Sequence, residues 1–295
     1  MQQFRLKAFA KINLGLKVIG RRNDGFHELR TVYQSISLAD TVDVEMKSAP
    51  PSVHLESSGF AVPIGKDNLA AKAAAATLEE LKLRRAVSIR LIKKIPPGSG
   101  LGGASSDAAA VIFAILRLSG KRIAPDALLR MSSGLGSDVP FFLSGGTAVG
   151  VGRGEEIYPL PDGPRRWCVL FYPGEGMNTS EAYGLLHAPL LTSPKARHTI
   201  ELFCGTLVQG TSQPIGNDFE PLIFARFPAL AKAKKALLRC GSEMASLTGS
   251  GSAVFGVFSD LRKARHAAES LRQEDRFVQL TRFIRRSEFQ KQLGL

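Results

Sequence analysis

The chain has 295 residues, 44% of them hydrophobic and 22% charged, with a formal net charge of +13. That length accommodates two ordinary domains with their own cores, and the composition excludes a disordered or low-complexity chain. No run of about 18 apolar residues offers a membrane span, and lysines break up the opening MQQFRLKAFAKINLG, so it does not read as a signal peptide.

The expected location is therefore cytoplasmic. Cys168, Cys204 and Cys240 are scattered and odd in number, which fits a reducing compartment and neither a disulfide framework nor a metal site. His54, His187, His198 and His266 form no cluster with cysteines or carboxylates. The positive field favours anionic partners, whether nucleic acid, a membrane surface or a small polyanion, and charge alone does not choose among them. Paired cations such as Lys93 and Lys94 read as solvated surface.

Along the chain, even positions from Phe4 to Val18 are all apolar, while the odd ones include Arg5, Lys7, Lys11, Asn13 and Lys17. This is strand periodicity, and it sets Lys11 and Asn13 on one face. RRNDG reads as a turn, and LRTVYQSISLADTVDVEM as a second strand-rich segment. KDNLAAKAAAATLEELKL offers Asp67 or Asn68 as a cap and then helix-forming residues. VSIRLIKKI returns to strand alternation, a glycine-rich loop follows, and a helix is expected from Ser105 to about Leu118.

Glycines and prolines gather in GGTAVGVGRGEEIYPLPDGPRR, and the apolar strand WCVLFYP comes next, so a domain boundary is expected near residue 160. The second half offers helices in FPALAKAKKALLRC and LRKARHAAESLRQ, with strand-like SAVFGVF between them. Strands and helices alternate without the regular rhythm of a doubly wound sheet, which points to an α+β chain.

The loop in PPGSGLGGASSDAA carries Gly98, Gly100, Gly102 and Gly103. Without side chains, its main-chain N–H groups can approach a ligand closely, and the helix behind adds a partial positive charge. Phosphate is the natural guest. Ser105 and Ser106 offer hydroxyls to phosphate or to a cation bound to it. The bland alternative is a tight strand-to-helix turn capped by one of these serines. The same glycines satisfy the G-x-G-x-x-G dinucleotide pattern, but no acidic residue ends a strand about 20 positions on. No Gly-Lys-Ser/Thr follows, which excludes a Walker loop.

Three further segments stand with this loop: AKINLGLKV at 10–18, GSDVPFFLSGG at 136–146 and LTGSGSAVFGVF at 247–258. Together they resemble the superfamily of galactokinase, homoserine kinase, mevalonate kinase and phosphomevalonate kinase. Within it, RNDGFHEL, NTSEAY and NDFEP resemble the family of 4-diphosphocytidyl-2-C-methyl-D-erythritol kinases. The resemblance spans nearly the whole chain and leaves RRSEFQKQLGL as an unplaced tail.

The resemblance implies a two-domain α+β fold with its active site in the interdomain cleft. It implies an ATP-binding domain over 1–160, a substrate-side domain over 161–285, and a possible tail over 286–295. It implies that Pro97, Gly98, Ser99, Gly100, Leu101, Gly102, Gly103, Ala104, Ser105 and Ser106 wrap the phosphates of ATP beside Mg²⁺, whose protein ligands stay unknown. Asp138 matches the family's catalytic base and Lys11 its partner. Read without the resemblance, Asp138 is a helix cap before Pro140, and Lys11 a solvent-facing lysine on an edge strand.

Asn13, Phe26, His27, Tyr33 and Tyr183 match positions used for the cytidine diphosphate half of the substrate. Their types suit it, since aromatic faces stack on a base and histidine reads its edge. Phe26 stands where tyrosine is common in the family. Thr179 and Asp218 are candidates for the methylerythritol end or its surroundings. The implied activity is phosphorylation of the 2-hydroxyl of a cytidine diphosphate-linked methylerythritol, a small-molecule substrate, without a specific nucleic acid or membrane partner. A sibling kinase of the homoserine or mevalonate type is the alternative; an oxidoreductase and an RNA-binding protein are the rivals from other classes.

Overall fold

The computed structural model describes residues 2–186, 199, 215–272 and 276–294. His187, His198 and Cys204 lie outside them. The first half is built on a long antiparallel ribbon of β1 (Gln2–Arg21) and β2 (His27–Lys47). The turn between them is held by the Arg22 N–H donating to Phe26 O at 2.8 Å, and by Asp24, which accepts from the Phe26 N–H at 3.1 Å.

β3 (Ser52–Gly59) runs parallel to β4 (Ala86–Lys93), and α1 (Leu69–Glu80) connects them. Asn68 caps α1, accepting from the Ala70 N–H at 2.9 Å. β4 flanks the C-terminal half of β2, while β5 (Thr147–Val151) flanks its N-terminal half and carries β6 (Glu156–Pro159) outside. α2 (Gly103–Ser119) packs across the ribbon with an unbroken buried run from Ser106 to Ile115, so it is a core helix rather than an amphipathic surface one. α3 (Pro125–Leu135) and a 3₁₀ turn, Pro140–Leu143, close this side.

The second half is a four-stranded antiparallel sheet. Its strands are β7 (Trp167–Tyr172), β9 (Met244–Leu247), β10 (Val254–Phe258) and β11 (Phe277–Arg282), in the order β11-β7-β10-β9. β8 (Gly216–Asn217) instead pairs parallel with β1. Of its helices, α4 (Thr179–Leu185) lines the cleft described below, and α5 (Glu220–Arg226) packs against α4. α6 (Pro228–Arg239) and α7 (Leu261–Ser270) cover the sheet, burying Leu230, Ala233 and Leu237 from one and Ala264, Ala267 and Ala268 from the other.

A third apolar cluster joins the halves. Ala10, Ile12, Ile36 and Leu38 of the ribbon pack with Ile95 and Leu101 against Leu170, Phe255 and Val257 of the second sheet. Each fully buried side chain of this size contributes about 1.5–3 kcal/mol. β1 alternates buried and exposed residues from Arg5 to Ala8, then is buried on both faces from Phe9 to Asn13, with a register shift between Phe9 and Ala10. Lys11 and Asn13 therefore face protein and cleft, not solvent.

Two expectations change. Lys93 is buried at 4% exposure, not part of a solvated surface. The closing segment is a helix, α8 (Arg286–Leu293), not an unplaced tail. Its Phe289 and Leu293, four apart on one face, are buried in the first core, with the Phe289 ring 5.8 Å from that of Phe9. Charged neighbours hide this short apolar pair in the sequence. Among the described residues, no helix is long and apolar enough to cross a membrane.

Candidate active site

A cavity of about 970 Å³ opens along the ribbon. The ribbon orders its wall, because Arg21 pairs with His27 near the turn and Asn13 with Tyr33 farther along. Lys11, Asn13, Tyr33, Asp138, Gly100 and Ser105 line it, as do Phe26, His27, Thr179 and Tyr183.

Asp138 comes from the loop before the 3₁₀ turn, which the buried Phe141 and Phe142 anchor. Its Oδ2 lies 3.2 Å from Lys11 Nζ, and its Oδ1 accepts from the Tyr33 hydroxyl at 3.0 Å. Lys11 Nζ also donates to Asn13 Oδ1 at 2.8 Å. Burial, then the charge of Asp138, pushes the Tyr33 phenol well above its ordinary range, so this hydroxyl remains a donor. Lys11 keeps only 3% of its side chain exposed and Asp138 keeps 30%, which leaves the carboxylate as the member of the pair open to the cavity.

The glycine loop turns its carbonyls inward. Gly98 O and Ser99 O accept from the N–H groups of Ser252 and Ala253, Gly100 O from the Thr248 hydroxyl, and Leu101 O from the Lys11 N–H. Among the described residues, nothing accepts from the N–H groups of Gly98, Gly100, Leu101, Gly102 and Gly103. These groups stand at the start of α2, an arrangement that suits an anion. Gly100, at φ +78°, admits no side chain, since a Cβ would lie 2.2 Å from Thr248 O. Gly102, at φ +73°, is closed by Lys11 and Phe142 in the same way. These two glycines thus serve packing against the 248–251 loop and Lys11 as much as any ligand.

A buried ion trio underlies the loop. Lys93 Nζ donates to Asp40 and, at 2.5 Å, to Asp107, while Asp40 accepts the main-chain N–H groups of Lys94 and Ile95. The trio ties β2, the approach to the loop and the second turn of α2 together. Burial raises the Asp107 carboxyl above the usual carboxylate range, and the nearby Asp40 adds to this.

Several expected site residues are placed differently. The Ser106 hydroxyl is buried and donates to Phe9 O at 2.7 Å, so of the two serines only Ser105 lines the cavity. The Ser99 hydroxyl donates to Pro96 O at 2.6 Å, and the Leu101 side chain is fully buried in the inter-sheet cluster. Both act as anchors. Asn13 lines the cavity, and its amide is engaged by Lys11, Thr31 and Thr248, which orients the Lys11 ammonium. Tyr33 is buried, with its ring 4.8 Å from that of Phe141 and its hydroxyl on Asp138. Asp218 binds Lys17 Nζ and the Val18 N–H and does not line the cavity.

His27, Tyr183 and Phe26 all line the cavity. The His27 and Tyr183 rings lie 5.2 Å apart, and Tyr183 stands edge-on to Phe219 at 4.8 Å. Burial, then Arg21, lowers the His27 pKa, which favours the neutral imidazole with one donor and one acceptor. Thr179 heads α4 and accepts from the Ser250 hydroxyl at 3.2 Å. Arg21 and Arg153 also line this part, and sequence reasoning missed them. Arg153 lies in a glycine-rich stretch that reads as punctuation between domains, so its sequence carries no signal of a site.

The class follows from two sequence profiles: that of the GHMP kinases N terminal domain matches residues 68–146, and that of GHMP kinases C terminal matches residues 205–276. A 4-diphosphocytidyl-2-C-methyl-D-erythritol kinase of Solibacter usitatus is 42% identical over 90% of this chain and 84% of its own length. One from Moorella thermoacetica is 40% identical over 92% and 96%. A crystal structure of 4-(cytidine 5'-diphospho)-2C-methyl-D-erythritol kinase superposes with a TM-score of 0.75 at 35% identity, covering 94% of this chain and 99% of that one. Homoserine kinase from Cytophaga hutchinsonii, at TM-score 0.70 and 18% identity over 96% and 95%, shares the fold. The chain belongs to the 4-diphosphocytidyl-2-C-methyl-D-erythritol kinase family.

Proposed function

We propose that this protein transfers the γ-phosphoryl group of ATP to the 2-hydroxyl of 4-diphosphocytidyl-2-C-methyl-D-erythritol, a step of the non-mevalonate route to isoprenoid precursors. The observation that carries this reading is the Lys11–Asp138 pair on a cavity wall shared with Phe26, His27 and Tyr183. Relatives with this activity in their names, alike over nearly their full length, support it. Both substrates are soluble polyanions, which suits the +13 charge, and the reading puts the enzyme with them in the cytoplasm.

Asp138 accepts the proton of the acceptor hydroxyl as its oxygen attacks the γ-phosphorus and ADP leaves. A positioned base of this kind contributes about 10²- to 10⁴-fold. Lys11, paired with this carboxylate, neutralises charge developing on the transferred group. Tyr33 and Asn13 fix these two side chains, so little reorganisation accompanies the reaction. The free N–H groups of Gly98 and of Gly100 to Gly103 hold the ATP phosphates, helped by the start of α2. His27 reads the cytosine edge, and the aromatic group around it takes the base.

Among the described residues, no cluster of His, Cys, Asp and Glu forms a protein metal cage. Magnesium suits the site nonetheless, since it takes most ligands from phosphate and water, and Ser105 Oγ is a hard oxygen donor on the wall. Bound there, it would neutralise phosphate charge.

Phosphorus NMR of the product tests the reading. The C2 carbon bears a methyl group and no hydrogen, so a phosphomonoester at its hydroxyl shows no coupling to a carbinol proton there. A coupled resonance, the mark of a primary or secondary hydroxyl, contradicts the assignment.

A further inference from the structure

Arg153 sits in the turn between β5 and β6, and that turn is fixed to the ribbon. Gly152 O accepts from the Leu29 N–H at 2.6 Å, Gly154 O from the Tyr33 hydroxyl at 3.3 Å, and the Gly154 N–H donates back to Val151 O. The Arg153 guanidinium lies over the Phe26 ring, 4.8 Å from its centroid, and its Nε donates to Glu155 Oε1 at 3.0 Å. Among the described residues, no acceptor meets its two terminal nitrogens, and the side chain, 30% exposed, lines the cavity. Arg21 lines it too. Of the nearby acids, Glu155 is engaged with Arg153, and Asp24 is paired with Arg22.

We propose that Arg153 is the residue that reads the diphosphate of the acceptor. Placed over Phe26 and pinned by Glu155, it turns its terminal N–H fork toward the diphosphate joining cytidine to the sugar alcohol. The inference rests on the acceptor reading above. A planar guanidinium matches a phosphate with two parallel hydrogen bonds, which a lysine ammonium does not. Stacking and the Glu155 bond hold the fork before the ligand arrives, so less side-chain freedom is lost on binding. The arrangement also assigns Phe26 a part: one face of its ring carries Arg153, and only the other is open to a base.

Calorimetric titration of the full chain with cytidine and with CDP, for wild type, Arg153→Ala and Arg153→Lys, tests this. A charge-assisted bidentate contact predicts CDP binding to wild type about 10-fold or more tighter than cytidine, and a ratio near unity in Arg153→Ala. Arg153→Lys recovers only part of the difference. In turnover, Arg153→Ala raises KM for the acceptor by a similar factor while kcat and KM for ATP stay within about threefold. If Arg153→Ala keeps the wild-type ratio, or weakens both ligands equally as a packing residue would, the proposal fails and the acceptor reading stands. If wild type binds neither ligand, both fail.

Discussion

Tyr33 donates its hydroxyl to Asp138 Oδ1 at 3.0 Å, on the carboxylate oxygen opposite the one that Lys11 Nζ approaches at 3.2 Å. One neutral and one charged donor thus hold the same carboxylate. Tyr33→Phe removes the neutral one and keeps the ring on Phe141. It should lower kcat about 10-fold, the worth of one hydrogen bond to a charged group, with KM for ATP nearly unchanged. A kcat unchanged from wild type would show that Tyr33 only packs.

Asp138→Asn keeps the shape of the side chain but cannot take a proton. kcat should fall by about 10²- to 10⁴-fold, while titration with a fluorescent ATP analogue shows nucleotide affinity close to wild type. Turnover within a few-fold of wild type would remove Asp138 from its role.

The trio under the glycine loop predicts a pH dependence of stability. Burial pushes the Asp107 carboxyl up to about 8, against an ordinary value of about 3.9. A carboxyl raised in the folded state contributes stability that is full below the ordinary carboxylate range and is lost as pH rises to about 8. Asp107→Asn has no such slope. Its urea midpoint should therefore gain on that of wild type from about pH 5 to about pH 9. Parallel curves would show that the carboxyl titrates alike in both states.

α8 should matter to the fold and not to the chemistry. Phe289→Ala empties a site that is 2% exposed, at a cost of about 3–5 kcal/mol by denaturant unfolding. KM values of the folded variant should match wild type. A loss below about 1 kcal/mol would mean that the helix is not part of the core.

Much of the frame was legible because its signals are local. Period-two alternation put Lys11 and Asn13 on one side of β1, and they do share a hydrogen bond. Glycines before Ser105 announced the start of α2. What the sequence concealed depends on distant segments meeting. Tyr33 reaches Asp138 across 105 positions and Thr248 reaches Gly100 across 148, so neither contact leaves a trace in any short window. Ser106 and Leu101 carry the right types for a phosphate loop, yet their directions follow from which core lies behind them. Arg153 could be placed only once the turn between β5 and β6 was seen against Phe26.

ADP release from the purified protein with ATP and Mg²⁺, run in parallel with 4-diphosphocytidyl-2-C-methyl-D-erythritol, homoserine and mevalonate, separates the candidate acceptors. Release is expected with the diphosphocytidyl compound alone. Release with homoserine or mevalonate instead would keep the glycine cradle and the Lys11–Asp138 pair but contradict the cytidine site built around His27 and Tyr183.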